Sequence, residues 1–102
     1  MKKDLISIDA SQRIDQLNKL AIKANKTKKK LDDYTLESIK HHAVEIGQLF
    51  VKSNPHWAVE TGDLMVHCMK ILRLHGYDLS RMLSRCNIRF EKKLLEKIRE
   101  LG

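Results

Sequence analysis

Apolar side chains recur along this chain at every third or fourth position and nowhere alternate over the length of a strand, so the pattern predicts helices throughout. A first helix is expected over about residues 9–25, with Ile14, Leu17, Ala21 and Ala24 on one stripe. The lysine-rich segment at 25–34 then reads as a basic connector. Thr35 is the expected N-cap of a second helix that buries Leu36, Ile39, Ala43, Ile46 and Phe50 and ends near Ser53. In "NPHW", Asn54 can cap and Pro55 can fill a first helical position, starting a third helix that runs to about His75. Gly76 suits the left-handed terminator after it. Asp78 is placed to cap a fourth helix reaching nearly to the C-terminus, with Leu79, Met82, Leu83, Cys86, Phe90, Leu94, Ile98 and Leu101 at helical spacing.

The expected architecture is therefore all-α, a four-helix bundle in one domain over residues 1–102. Composition agrees: 42% hydrophobic and 32% charged, with four glycines and one proline, suits helices better than a turn-rich sandwich. A chain this short can bury one modest core, and dimerisation is a natural way to bury more. The N-terminus has too short an apolar patch for a signal peptide and nothing approaches a membrane span, so a soluble cytoplasmic protein is expected. Cys68 and Cys86 stand 18 apart in apolar helical patterns and read as reduced core residues, not as a disulfide or zinc pair.

Twenty Lys and Arg against 13 Asp and Glu give a formal charge of +7, which raises the question of nucleic acid. The densest basic run is "NKTKKK" at 25–30, and the other cations scatter over polar helix faces. Solvated surface explains that distribution, and nucleic-acid binding through Lys28, Lys29 and Lys30 is the weaker reading.

Candidate chemistry lies on two polar stripes. The second helix carries His41, Glu45, Gln48 and Lys52 on one side; the third carries His56, Glu60, Asp63, His67 and Lys70. A short connection makes these helices antiparallel neighbours, so the stripes can face each other. Acidic side chains one turn apart on adjacent helices are a way to hold a hard divalent cation, Mg²⁺ or Mn²⁺. From the ExxD spacing alone, a solvated face is the simpler account. His41 before Glu45 and His56 before Glu60 offer mixed nitrogen and oxygen ligands for zinc or iron, but the Glu-x-x-His pair of di-iron bundles is absent, and hydrogen-bonded histidines are favoured.

The stretch "VETGDLMVHCMKILRLHGYDLSRMLSRCNIRFEKKLLEKI", with "VEIGQ" upstream, resembles a MazG-type nucleotide pyrophosphohydrolase domain over roughly residues 35–100. It has the acidic ExxD helix, the break, and a basic version of the family's Asn-x-Lys-Phe-x-Arg-Arg signature in Asn87, Arg89, Phe90, Lys92 and Lys93. The resemblance implies Mg²⁺-dependent cleavage of a nucleoside triphosphate between the α and β phosphates, giving a nucleoside monophosphate and pyrophosphate. It also implies a homodimer or dimer of dimers. Glu45, Glu60 and Asp63 would then hold the metal and help activate water, while Asn87, Arg89, Lys92 and Lys93 would contact phosphates or the metal-bound carboxylates; Phe90 would pack.

The departure from the family is Gln48, where the pattern has a second glutamate after Glu45. Gln48 can offer a carbonyl oxygen but no charge, which weakens the hold on a cation and removes a candidate base. Lys70 on the acidic stripe adds either a nearby ammonium or a snorkelled surface cation. Glu37, two turns before Glu45, is poorly placed to substitute. A hydrolase and a catalytically impaired nucleotide-binding or regulatory protein both remain open at this point.

Overall fold

The computed structural model describes residues 5–102, and among them there are four helices and no strand: α1 (Ile8–Asn25), α2 (Lys28–Val51), α3 (Trp57–Leu74) and α4 (Leu79–Leu101). No helix of the described residues is long and apolar enough to cross a membrane.

The helix ends follow local chemistry. Ser7 caps α1 by accepting from the Ala10 amide at 3.0 Å, and Asp78 caps α4 by accepting from the Arg81 amide at 2.9 Å. Helix α3 closes with paired bonds, Gly76 N–H to the Arg73 carbonyl and Tyr77 N–H to the Leu72 carbonyl, around Gly76 at φ 85°. Helix α2 closes in the same way: the Ser53 and Asn54 amides donate to the Phe50 and Leu49 carbonyls, but here Ser53 stands at the left-handed position, φ 57°. Asn54 does begin the next turn, its Oδ1 accepting from the His56 amide at 3.0 Å, although regular helix starts only at Trp57.

The basic segment expected as a connector is helical. Thr27, not Thr35, is the N-cap, accepting from the Lys30 amide at 3.1 Å. Three lysines in a first turn oppose the helix dipole, which is why the segment reads poorly as a start. Burial outweighs that cost, because Leu31, one turn on, is only 1% exposed. Thr35 lies inside the helix, fully buried, and its hydroxyl donates back to the Leu31 carbonyl at 2.8 Å.

Helices α1, α2 and α3 pack around Ile14, Asn18, Leu31 and Thr35. Asn18 donates from Nδ2 to the Lys70 carbonyl at 2.9 Å, and Arg73 holds Asp15 with a two-pronged contact, both N···O distances 2.9 Å. Helix α4 behaves differently. Leu79 is buried and Ser80 clasps the Ile6 backbone, its Oγ accepting from the amide and donating to the carbonyl, both at 3.0 Å. Beyond its first two turns α4 leaves the other helices. The apolar positions expected to be buried there are mostly open: Phe90, Leu94, Ile98 and Leu101 are exposed, as are Leu36, Ala43 and Phe50 on α2. Cys68 and Cys86 are free and half-buried, lining an apolar groove between α3 and α4.

The consequence is an extended chain with a thin core. Its radius of gyration is 16.5 Å, against about 13 Å for a compact chain of this length. It exposes 8349 Å², whereas a compact protein of this mass exposes about 6,000 Å².

Candidate functional site

The α2–α3 pair positions the polar residues. Both helices are well formed, and the tight reversal at Ser53, backed by Phe50 edge-on to Trp57 with ring centroids 5.3 Å apart, fixes them antiparallel. In that register His42 of α2 meets Glu60 of α3, Nδ1 to Oε2 at 2.5 Å. The other carboxylate oxygen is taken by His56, Nε2 to Oε1 at 3.3 Å, from one turn earlier on the chain. The Glu60 side chain is 13% exposed and that of His42 17%, so this contact lies inside the helix pair. The His42 hydrogen bond lowers the Glu60 carboxyl below the usual range; burial pulls it back up, and Glu45 and the charges of His42 and His56 lower it further.

Asp63 stands one turn on from Glu60, exposed, with no hydrogen bond or ion pair among the described residues. One donor atom each from His42, Glu60 and Asp63 lies within 4.8 Å of the other two. Behind them, His67 stacks on His42 with centroids 5.2 Å apart and planes 29° from parallel, and Tyr34 meets His67 edge-on. His67 Nδ1 is buried without a partner. Burial, then the nearby charges of Lys70 and His42, lowers the affinity of that ring for a proton, against the opposing pull of Asp63.

Of the residues expected at the site, Glu60 and Asp63 come together, and Glu45 is near enough to influence Glu60 while also pairing with His41 Nε2 at 3.0 Å. Gln48 is exposed, on an open face of α2 beside Val44, Gly47 and Val51. Asn87, Arg89, Lys92 and Lys93 lie on the exposed length of α4, and no hydrogen bond or ion pair among the described residues joins them to the acidic group; Arg89 Nη2 contacts only Cys86 Sγ, at 3.4 Å. Glu37 pairs with Lys40 at 3.7 Å on the solvent side of α2, so it does not stand in for Gln48. His42 escaped the sequence reading. The available sign was its spacing, three residues before Glu45, but which of two adjacent histidines turns toward α3 depends on how the helices pack.

A divalent cation fits this donor set in number and convergence, with two carboxylates and one imidazole and with Asp63 free of competing partners. Magnesium takes oxygen ligands, so His42 is the member that suits it least.

Comparison with known proteins finds no matching family model and no significantly similar curated protein or solved structure.

Proposed function

We propose that this protein is a divalent-cation-dependent nucleoside triphosphate pyrophosphohydrolase of MazG-like type, cleaving between the α and β phosphates and working as a homodimer. The observation that carries the reading is the convergence of His42, Glu60 and Asp63, with Glu45 alongside, between two antiparallel helices. Mg²⁺ or Mn²⁺ bound there would offset the phosphate charge that develops during cleavage. Glu60 and Asp63 would hold the cation, and Glu45 is the carboxylate available to orient water and take its proton. Asn87, Arg89, Lys92 and Lys93 supply donors for phosphate oxygens. On this reading α4 of one copy brings them over the α2–α3 pair of the other.

The dimer rests on surface. The excess over a compact monomer, roughly 2,400 Å² per chain, is of the size that obligate homodimers bury. Its apolar lining is the outer stripe of α4 together with the α3–α4 groove around Leu64, Met65, Met69 and Leu83.

Pyrophosphate release from a panel of canonical and modified nucleoside triphosphates, with Mg²⁺ or Mn²⁺, tests the activity. The native protein is expected to release it, and Asp63→Asn to lose at least about 100-fold. A second reading, a nucleotide-binding protein with an impaired site, is favoured by two observations: α2 turns Gln48 to an open face and so brings only Glu45 as a carboxylate beside Glu60, and imidazoles already occupy both oxygens of Glu60. Under it the native protein binds nucleotide and releases no pyrophosphate with either cation.

A further inference from the structure

The nitrogen ligand carries the inference furthest. An all-carboxylate site would be expected to select a hard cation, yet the half-buried side chain that α2 turns toward Glu60 is an imidazole, and the neutral Gln48 faces outward. Imidazole suits zinc, copper, iron and nickel, whereas magnesium favours carboxylate, carbonyl and water oxygens. The ring is also held in place: His67 stacks on it from the side and Tyr34 closes on His67. A ligand supported in this way loses little freedom when it binds metal.

We propose that His42, Glu60 and Asp63 form a centre for a first-row transition ion, and that the His42 nitrogen makes it prefer such an ion to Mg²⁺. The site deepens the proposed function but stands without nucleotide. Donors around an ion at about 2.1 Å lie about 3–3.5 Å apart, so the observed mutual limit of 4.8 Å closes with a modest rotation of the exposed Asp63 side chain. Three protein ligands from two helices leave positions open for water or a phosphate oxygen. His56 holds the second oxygen of Glu60, and an ion would replace the proton now shared between His42 Nδ1 and Glu60.

The experiment is titration of the whole chain with Co²⁺, read by its visible d–d absorption and by calorimetry, with no nucleotide present. One Co²⁺ per chain is expected, retained against about a hundredfold excess of Mg²⁺, as the ligand preference requires. His42→Ala and Asp63→Ala should each weaken binding at least about tenfold, while His75→Ala, which breaks the separate contact to Asp32, should leave it unchanged. Asp63 is exposed, so its variant tests ligation even if His42→Ala does not fold. Absence of binding, displacement by equimolar Mg²⁺, or Co²⁺ affinity indifferent to Asp63→Ala and to a folded His42→Ala overturns the assignment. Binding of Co²⁺ without pyrophosphate release under any cation would leave this centre standing and remove the hydrolase reading instead.

Discussion

Helices α2 and α4 are of nearly equal length, 24 and 23 residues, and both carry apolar stripes, yet they are used in opposite ways. Helix α2 is covered along one side by α1 and α3, and the side chains it buries most completely are Leu31 and Thr35, near its N-terminal end. Helix α4 is the more strongly segregated into apolar and basic faces but buries only Leu79. The difference teaches that amphipathicity reports the need for a partner, not its identity. For α2 the partner is the same chain; for α4 beyond its first two turns, nothing within the described residues fills the role.

The comparison breaks most visibly at Leu31. Leu31→Ala opens a cavity where α1, α2 and α3 meet, and denaturant unfolding should show a loss of about 2–5 kcal/mol. The counterpart on α4 is Ile98→Asp. If a second copy covers that stripe, sedimentation should show the dimer giving way to monomer, with a cost of about 1.5–3 kcal/mol per chain for the lost burial; unchanged mass and stability would mean that α4 is solvated as it stands. Smaller changes sharpen the contrast between the two helix reversals. Ser53 holds a left-handed conformation that Gly76 adopts freely, so Ser53→Gly should raise the unfolding midpoint by an amount equivalent to about 1 kcal/mol.

The smallest effect concerns the α1–α3 contact. Arg73 lowers the Asp15 carboxyl below its ordinary 3.8, first through the hydrogen bond and then through charge, with burial opposing. A depressed carboxylate contributes stability above its unfolded value and loses it as pH falls through the folded one. Stability should therefore drop below about pH 4 and Asp15→Asn should flatten that drop. The side chain is 38% exposed, so solvent screening keeps the contribution to at most about 1 kcal/mol.

What was legible in the sequence was local. Asp78 and Gly76 act on backbone groups within a few residues, and the structure places them where spacing put them, whereas Asn54 and Pro55 precede a helix that starts only at Trp57, with His56 at its N-cap position. Thr27 was overlooked because Lys28, Lys29 and Lys30 disfavour a helix start on their own, and it is Leu31 against two other helices that settles the matter. Glu60 and Asp63 could be read as neighbours because residues one turn apart on α3 share a face. His42 could not, since His41 has an equal sequence claim and only the register of α2 against α3 separates them. The burial forecast for Phe90, Leu94 and Ile98 identified a stripe but not what would cover it.

The unburied length of α4 has a consequence for the protein's life in a cell. Copies meeting at the proposed interface would shield one another's helix, while a solitary copy would present about four turns of amphipathic chain to any protease or chaperone. Survival would then rise with the protein's own abundance, and halving its synthesis would remove more than half of the working molecules.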